Sequence, residues 1–220
     1  MRPLTEENIE SYKESAANFA QKYRPKYLGL GIEVNVLSEK SPPDFDKFVS
    51  LFNESYDAIK TVSPNTKIFT VFQLEKMKGL SGGLFGGVND ETKNEWPLLE
   101  KFQKSDIIAF TTYPSLIYKD PAEIPADYYL EIKNHTQKPI AFTEVGWPSG
   151  ADILGWESSE EEQASFIQRF FELTKDLKPE LAIWAFMYDQ NTIEPFKTMG
   201  LINSKGTAKS AFEKLKNLKY

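Results

Sequence analysis

The chain contains no cysteine, and His135 is the only histidine among its 220 residues. Cysteine nucleophiles, thiolate metal sites and zinc centres that need several histidines are therefore excluded. His135 lies between Asn134 and Thr136 in a polar stretch, so we expect it at the surface. The sequence predicts neither a bound metal ion nor a cofactor.

The chain also lacks long hydrophobic runs. No apolar stretch reaches the roughly 20 residues that a membrane-spanning helix needs, and the first residues lack the apolar core of a signal peptide. We therefore expect a soluble chain without membrane contacts and without an export signal in this sequence. Its compartment stays undefined, because an export signal could precede a fragment.

Positive charge is scattered rather than clustered. The 26 lysine and arginine residues are outnumbered by 32 aspartate and glutamate residues, which gives a net charge of -6. Nucleic-acid binding requires a basic patch, so we expect no nucleic-acid partner, and a neutral polar ligand fits this composition better. A length of 220 residues suits one globular domain that covers residues 1–220.

Two stretches look like ligand-binding motifs but fit other structures better. The glycine-rich residues 79–87 lack both the Gly-Lys-Ser/Thr of a phosphate-binding loop and a dinucleotide spacing, so they predict a mobile loop over a site. The acidic residues 158–162 could hold a metal ion. Ser159 and Glu162, however, have the spacing of a capping box, which indicates the start of a helix.

Short apolar segments recur along the chain, with a helical pattern between each pair. They begin near Leu28, Ile68, Ile107, Ile140 and Leu181, at intervals of roughly 33 to 41 residues. This rhythm is typical of βα units in a parallel sheet, and five such units are visible. The sequence therefore predicts an α/β fold with parallel strands.

Polar and aromatic residues mark the downstream ends of these strands. The active sites of (β/α)8 barrels are built at this rim. An open doubly wound sheet would also bind ligands there, but its glycine fingerprint is missing. A barrel of the TIM type is therefore the better prediction, with candidate site residues Glu33, Gln73, Tyr113, Glu144 and Trp184 or Asp189.

The first of the predicted strands covers residues 27–35. It is apolar, contains glycine, is too short for a helix and carries Glu33 near its end. Because side chains alternate along a strand, Glu33 and Asn35 should share one face. Asn35 is therefore a candidate substrate ligand beside Glu33.

A second glutamate lies in the stretch Thr-Glu-Val-Gly-Trp-Pro-Ser at residues 143–149. We expect a buried strand to deliver Glu144 to the rim, where Gly146 and Pro148 prevent regular pairing. Trp147 then provides a flat ring beside a carboxylate. A sugar-cleaving site needs both an acid and a ring on which the sugar can stack.

This string, with Glu33 at an earlier strand end and Tyr113-Pro114 after an intermediate strand, resembles retaining glycoside hydrolases with a (β/α)8 barrel. Its Glu-x-Gly-Trp-Pro-Ser part is particularly similar to endo-β-glucanases of the plant and fungal type, and the layout is also similar to β-galactanases. The resemblance implies that Glu144 is the nucleophile on strand seven and Glu33 the acid/base on strand four. It also implies that Tyr113 holds the nucleophile and that Trp184 lies under the scissile sugar.

The chain departs from these families in two respects. They usually carry asparagine before the acid/base glutamate, where this chain has Ile32. The resemblance also covers only five of eight units, strands four to eight, whereas eight units need about 300 residues. Either the chain is truncated or three units come from elsewhere. We therefore expect the strands at residues 27–35 and 181–187 to be edges that self-associate, aggregate or are completed by an upstream segment, with weak or no activity of the chain alone.

The predicted function is hydrolysis of β-linked glycans with retention, in which Glu144 attacks the sugar and Glu33 acts first as acid and then as base. The predicted partner is an oligo- or polysaccharide, contacted by Asn35, Gln73, Tyr113, Trp147, Trp184 and Asp189. The alternative is a carbohydrate-binding or vestigial barrel without turnover. A lyase or aldolase would need a Schiff-base lysine or a phosphate site, and neither is visible.

Overall fold

The computed structural model describes residues 4–218. Its α-helices are α1 (Glu6–Tyr23), α2 (Val34–Lys40), α3 (Pro42–Val62), α4 (Leu74–Met77), α5 (Glu160–Thr174) and α6 (Ser210–Asn217). Its strands are β1 (Tyr27–Gly29), β2 (Lys67–Phe69), β3 (Val71–Gln73), β4 (Ile108–Thr112), β5 (Ile140–Val145) and β6 (Leu181–Trp184). None of the helices within these bounds combines the length and hydrophobicity that crossing a membrane requires.

Two helices begin at capping residues, and one of these, Ser159, is the residue that the sequence predicts. The Thr5 hydroxyl accepts a hydrogen bond from the Asn8 N–H at 3.3 Å before α1, and the Ser159 hydroxyl accepts one from the Glu162 N–H at 3.1 Å before α5. Each such bond satisfies a backbone donor that the first helical turn leaves free, and is worth about 1 kcal/mol. The capping interpretation of residues 158–162 is therefore confirmed.

All strands run parallel and follow one another in chain order. β1 pairs with β2, and β3, β4, β5 and β6 pair in that sequence. Because only Thr70 separates β2 from β3, these two strands share one position between β1 and β4. Within residues 4–218 the sheet thus has five strand positions with β1 and β6 at its edges, and the predicted α/β class with parallel strands is confirmed.

Alternation along the strands separates two faces of the sheet. Phe72, Phe110 and Phe142 lie in register across β3, β4 and β5 and are buried in the core under the helices. Phe102 contacts Phe72 edge-on at 5.6 Å between ring centroids, and Phe170 of α5 contacts Phe142 at 5.2 Å, an arrangement that aromatic rings favour. The opposite face, called the inner face below, carries the smaller cluster Phe69, Val71, Ile107, Ala109 and Ala141.

A partly buried contact joins opposite sides of the sheet near the amino ends of the strands. Glu180, just before β6, accepts a hydrogen bond from the Tyr27 hydroxyl of β1 at 3.1 Å and forms an ion pair with Lys67 of β2. The hydrogen bond from Lys67 lowers the pKa of Glu180. One side chain can bridge strands so far apart in the sheet only if the sheet curls, so the inner face is concave.

The strand predicted over residues 27–35 is wrong beyond its first three residues. Gly31 (φ 82°) and Glu33 (φ 50°) adopt left-handed backbone conformations, which end the extended structure. Val34 then begins α2, so Glu33 and Asn35 do not share a strand face. A short apolar run does not distinguish a strand from the buried side of a short helix, and that ambiguity caused the error.

Three other predicted elements differ in type or length. Two of the helical segments predicted between strands are 3-10 helices, at Trp96–Phe102 and Leu130–Asn134. The tighter 3-10 geometry is common in short connectors, where few residues are available for a full α-helical turn. The strand predicted over residues 181–187 ends at Trp184.

The single histidine is exposed, as predicted, but its ring makes two specific contacts. The His135 ring stacks on Trp96 with 4.2 Å between centroids and 8° between planes. Its Nε2 lies 3.8 Å from Oε1 of Glu131. His135 therefore belongs to the outer packing of the protein.

Candidate functional site

A row of polar side chains crosses the inner face at the carboxyl ends of three neighbouring strands. Gln73 is the pairing partner of Thr111 between β3 and β4, and Thr111 is the partner of Glu144 between β4 and β5. Side chains at paired positions project to the same face of a sheet. Gln73, Thr111 and Glu144 therefore lie next to one another above the apolar inner-face cluster.

A β-bulge in β5 turns Glu144 toward this row. Phe110 pairs with Phe142 on the face covered by helices, but the next residue of β4, Thr111, pairs with Glu144, so Thr143 is an extra residue in β5. Strict alternation after Phe142 would have directed Glu144 toward the helices. Bulges often redirect a side chain next to an active site.

Glu33 reaches the same row from the loop after β1. It precedes α2 with its backbone in the left-handed region, and its Oε1 accepts a hydrogen bond from the Thr111 hydroxyl at 2.8 Å. A residue other than glycine pays roughly 1 kcal/mol or more for this backbone conformation. Because Thr111 is paired with Glu144, its hydrogen bond brings the two carboxylates to one end of the inner face.

The two carboxylates also interact electrostatically. Burial raises the pKa of Glu33, and the negative charge of Glu144 raises it further. The Thr111 hydrogen bond and the positive charges of Lys76 and Lys40 act in the opposite direction without cancelling the rise. Glu33 therefore keeps a proton to higher pH than an ordinary glutamate does, which is what a general acid requires.

Tyr113 holds one oxygen of Glu144. Its hydroxyl donates a hydrogen bond to Oε2 of Glu144, and its side chain is buried. Burial, followed by the hydrogen bond to this carboxylate, raises the pKa of Tyr113 well above the ordinary value, so the phenol remains a donor. The ring of Phe196 packs edge-on against Tyr113 at 5.2 Å, which limits how the phenol can turn.

Trp147 does not line the cleft, and the prediction that it stacks on a sugar is wrong. Its side chain is 1% exposed and stacks on Phe166 of α5 with 5.0 Å between centroids. Its Nε1 donates a hydrogen bond to the Ser158 hydroxyl at 3.2 Å. Closeness to Glu144 in sequence therefore does not place the ring beside the carboxylate, because the chain turns toward the helices after β5.

Trp184 lies on the opposite face from Glu144, so its predicted position under the sugar is also wrong. It pairs with Val145, which is buried in the core under the helices. Its ring lies 6.1 Å from that of Phe166, and its Nε1 donates to the Met199 carbonyl at 2.8 Å. Because Trp184 pairs with Val145 and not with Glu144, its side chain projects to the face of the sheet that the helices cover.

Asn35 is used within the protein, and the prediction that it contacts substrate is wrong. Its side chain is fully buried, and its Nδ2 donates to the Gln73 carbonyl at 3.1 Å and to Oε2 of Glu95 at 2.8 Å. Its Oδ1 accepts from the Gln73 N–H at 2.8 Å. Asn35 thus fixes the backbone of Gln73, whose own Oε1 is buried without a hydrogen-bond partner among the described residues.

Asp189 is likewise a structural residue and not a cleft residue. Its Oδ1 lies 2.5 Å from Nζ of Lys209, whose side chain is 2% exposed, and accepts from the Gly200 N–H at 3.1 Å. Lys209 also donates to the Ser149 hydroxyl at 2.8 Å and to the Thr198 carbonyl at 3.0 Å. This buried ion pair anchors the segment that follows Glu144.

Half-buried aromatic side chains pack against the cluster of Tyr113, Leu116 and Met199, beside the candidate site. Phe186 and Phe196 follow β6, and Phe85 comes from the glycine-rich residues 79–87. Gly83, at φ 56°, brings this glycine-rich segment so close to Leu116 that a Cβ would lie 2.2 Å from the carbonyl oxygen. The segment therefore packs directly beside the candidate site.

Two site residues escaped the sequence prediction, Thr111 and Glu75. Thr111 was a strand-end residue with no distinguishing feature, although its two-residue spacing from Ala109 placed it on the inner face. Glu75 lies in α4 and is fully buried, with its Oε1 bonded to the Tyr113 N–H at 3.0 Å. No local pattern predicts a buried acid between Leu74 and Lys76, because its partners come from distant parts of the chain.

Comparison with known proteins identifies relatives by fold and not by sequence. No protein-family model and no curated protein sequence matches the chain. An active-site mutant of β-1,3-glucanosyltransferase from Rhizomucor miehei, in complex with laminaritriose, superposes with a TM-score of 0.62 at 16% identity, over 96% of this chain and 73% of that one. A GH53 catalytic domain from Ignisphaera aggregans gives a TM-score of 0.61 at 17% identity, over 94% and 65%.

A third similar structure is a β-glucuronidase from Lactobacillus rhamnosus, with a TM-score of 0.62 at 16% identity over 94% of this chain and 34% of that one. These neighbours are glycoside hydrolases and related enzymes with TIM-barrel folds. At such low identity the likeness concerns the fold alone. The chain spans between about one third and three quarters of the length of these three structures.

Proposed function

We propose that the protein is a glycoside hydrolase that cleaves β-linked glycans with retention of configuration. The observation that carries this proposal is the pair Glu33 and Glu144, joined to one end of a concave sheet through Thr111. Their surroundings differ. Glu33 accepts a hydrogen bond from the Thr111 hydroxyl, and burial raises its pKa, whereas Glu144 accepts a hydrogen bond from the phenol of Tyr113. Two carboxyl groups with different environments are what acid and nucleophile require.

In the proposed reaction, Glu144 attacks the anomeric carbon while protonated Glu33 donates its proton to the glycosidic oxygen. The leaving sugar departs as an alcohol, and a glycosyl ester of Glu144 forms. Glu33, now a carboxylate, then takes a proton from water, which attacks the same carbon and releases Glu144. Tyr113 occupies Oε2 of Glu144, so Oε1 is the oxygen assigned to the attack.

The substrate would be held by side chains other than the tryptophans. Gln73 lies in the row of Thr111 and Glu144, and its Oε1 is buried without a partner among the described residues, so a sugar hydroxyl would reach this oxygen only if the side chain turned toward the cleft. Lys76, whose positive charge lowers the pKa of Glu33, also lines a polar cavity of about 110 Å³ together with Glu39 and Glu95. Such groups suit sugar hydroxyls, and the half-buried rings of Phe85, Phe186 and Phe196 offer the apolar surface on which a pyranose can stack.

We further propose that the five strand positions correspond to strands four to eight of a (β/α)8 barrel, with the whole chain as one partial catalytic domain. The parallel order, the open edges β1 and β6 and the fraction of the neighbouring structures that the chain covers support this assignment. Glu33 then follows strand four and Glu144 ends strand seven. Both positions lie within the covered segment, so the site does not depend on the first three units for its acids.

Hydrolysis assays test the proposed function directly. The wild type is expected to release reducing ends from a soluble β-glucan or β-galactan, and Glu144→Gln is expected to lower this rate by about 10³-fold or more, because an amide is a poor nucleophile. Glu100→Gln, on the exposed side of the 3-10 helix Trp96–Phe102, serves as the matched control and should keep the wild-type rate. Equal rates for the wild type and Glu144→Gln would overturn the proposal.

A carbohydrate-binding barrel without turnover is the second candidate. It is favoured by the exposed Ile32, where the families that the sequence resembles usually carry asparagine, and by the positions of Asn35, Trp147 and Trp184 outside the cleft. Calorimetric titration of a cello- or galacto-oligosaccharide distinguishes the two. Binding that is equal in the wild type and Glu144→Gln, with no reducing ends released by either, would identify the binding module.

The exposed edge of β6 is expected to cause self-association. Ile183 is 51% exposed on this edge, which carries unpaired backbone donors and acceptors. In light scattering, the mean mass of the wild type should rise with concentration, and Ile183→Lys should suppress that rise. Ile193→Lys replaces a side chain that is 73% exposed outside the strands, and it should not. A wild type that stays monomeric at all concentrations would contradict this prediction.

A further inference from the structure

Glu75 is a fully buried carboxyl group that the proposed reaction does not use. All of its donors bond to one oxygen: Oε1 accepts from the Thr112 hydroxyl at 3.0 Å, the Tyr113 N–H at 3.0 Å and the Tyr128 hydroxyl at 3.1 Å. Its Oε2 is buried and has no partner among the described residues. A buried acid costs free energy, so three converging donors indicate that its position matters.

Glu75 is connected to the proposed nucleophile, Glu144, through Tyr113, which hydrogen-bonds to both. Tyr113 lies just past β4, where regular pairing has ended, and its backbone conformation (φ -134°, ψ 70°) is neither strand nor helix. Its N–H is fixed by Glu75 at one end of the residue, and its phenol donates to Glu144 at the other. Tyr113 is therefore held between an acid after β3 and an acid on β5.

We propose that Glu75 is a positioning residue, which fixes the backbone of Tyr113 so that the phenol stays on Glu144. The catalytic part of this inference rests on the proposed glycosidase function. Without the Glu75 acceptor, the Tyr113 N–H would be buried and unpaired, and the segment after β4 would shift to find another partner. The phenol would then hold Oε2 of Glu144 in a wider range of positions.

The charge of Glu75 gives this contact a pH dependence. Burial raises the pKa of Glu75 to about 7, and the hydrogen bonds from its own backbone N–H and from Thr112, Tyr128 and Tyr113 only partly offset the effect of burial. The neutral acid carries its proton on Oε2, since Oε1 is occupied by donors. Ionisation strengthens these bonds, because hydrogen bonds to a charged acceptor are stronger, so Tyr113 is held more firmly above pH 7 than below it.

The charges of Glu33 and Glu144 also act on Tyr113, but a shift that they cause would persist in Glu75→Gln, which separates it from the titration of Glu75. Burial raises the pKa values of the surrounding phenols above the ordinary tyrosine value, so they stay neutral near pH 7; these are Tyr113, Tyr118, Tyr128 and Tyr129. The Lys78 ammonium lies 4.7 Å from the Tyr128 ring centroid, bonds to the Tyr128 carbonyl and pairs with Glu131. Lys78 is thus engaged with Glu131 and Tyr128.

An NMR titration tests the link without requiring activity. The amide 1H–15N resonance of Tyr113 is expected to move with a midpoint near pH 7 in the wild type. Glu75→Gln keeps the shape and one acceptor oxygen but cannot ionise, and it should abolish this titration. A Tyr113 amide that does not titrate in the wild type, or that titrates equally in Glu75→Gln, would overturn the proposal even if the enzyme is active.

Kinetics then test whether the link acts on Glu144. In an active enzyme, Glu75→Ala is expected to lower kcat about tenfold with little change in KM, and this loss should disappear in a Tyr113→Phe background. If Glu75→Ala does not fold, Glu75→Gln replaces it. Because only the wild type gains a charged acceptor as the pH increases, the ratio of wild-type kcat to variant kcat should then increase as the pH is raised past 7. Losses that add independently of Tyr113, or a ratio without pH dependence, would refute the positioning role. An inactive wild type with a titrating Tyr113 amide would refute the glycosidase function alone.

Discussion

Glu144→Ala is expected to lower kcat on an aryl β-glycoside by a factor of about 10³ to 10⁶, and sodium azide is expected to restore part of it. The substitution removes the carboxylate that Tyr113 holds and leaves space beside the anomeric carbon for a small anion. Azide attacking from that side inverts the configuration once. The product should therefore be the α-glycosyl azide, identified by NMR.

Glu33→Ala serves as the control, because it should yield the glycosyl azide of the opposite anomeric configuration. A good aryl leaving group needs little protonation, so the first step should survive, and the glycosyl ester on Glu144 should accumulate until azide replaces the missing base-activated water. Two displacements give the β-glycosyl azide. The same anomer from both variants, or rescue of neither in an otherwise active protein, would contradict the assignment of nucleophile and acid/base.

The sequence predicted the parts of the fold that depend on local periodicity. The buried stripe of α3, the cap Ser159 and the succession of apolar strands appear in the structure, whereas α1 buries only Ala20 and leaves Phe19 and Tyr23 exposed. Each of these signals arises within about 20 residues and is enforced by burial of one side of the element. The parallel order follows because one helix or loop segment returns the chain between each pair of strands.

The predictions for side-chain direction at the rim failed for a different reason. Strict alternation after Phe142 would direct Glu144 to the helices, and the extra residue Thr143 reverses this without any signature in the sequence. The same irregular stretch leaves Trp147 and Trp184 on the helix-covered face. Position along the chain therefore predicts which residues reach the rim, whereas the bulge decides which of them point into the cleft.

Asn35 and Asp189 were misassigned because buried polar residues and cleft residues look alike in a sequence. Each was placed at a strand end by the sequence, where a substrate ligand would lie, but β1 ends at Gly29 and β6 at Trp184. Their partners, the Gln73 backbone for Asn35 and Lys209 for Asp189, are 38 and 20 residues away. Only the folded structure brings such partners together, so their structural roles could not be predicted.

Lys209→Met is expected to lower the free energy of unfolding by about 3 to 5 kcal/mol, the cost of leaving one partner of a buried ion pair uncompensated. The Lys209 side chain is 2% exposed and that of Asp189 is 15% exposed, so little water can replace the lost ammonium. Two further acceptors, the Ser149 hydroxyl and the Thr198 carbonyl, lose a donor at the same time. Urea unfolding monitored by far-UV circular dichroism measures the change.

Two variants separate this pair from a general effect of losing a lysine. Lys216→Met removes an exposed lysine of α6 whose nearest carboxylate, Glu213, is 3.9 Å away and equally exposed to solvent, and it should cost less than about 1 kcal/mol. Lys209→Met combined with Asp189→Asn removes both charges and should be more stable than Lys209→Met alone, because no buried charge is left unpaired. A double variant as unstable as the sum of its single variants would show that Lys209 stabilises the segment after Glu144 through Ser149 and Thr198 and not through Asp189.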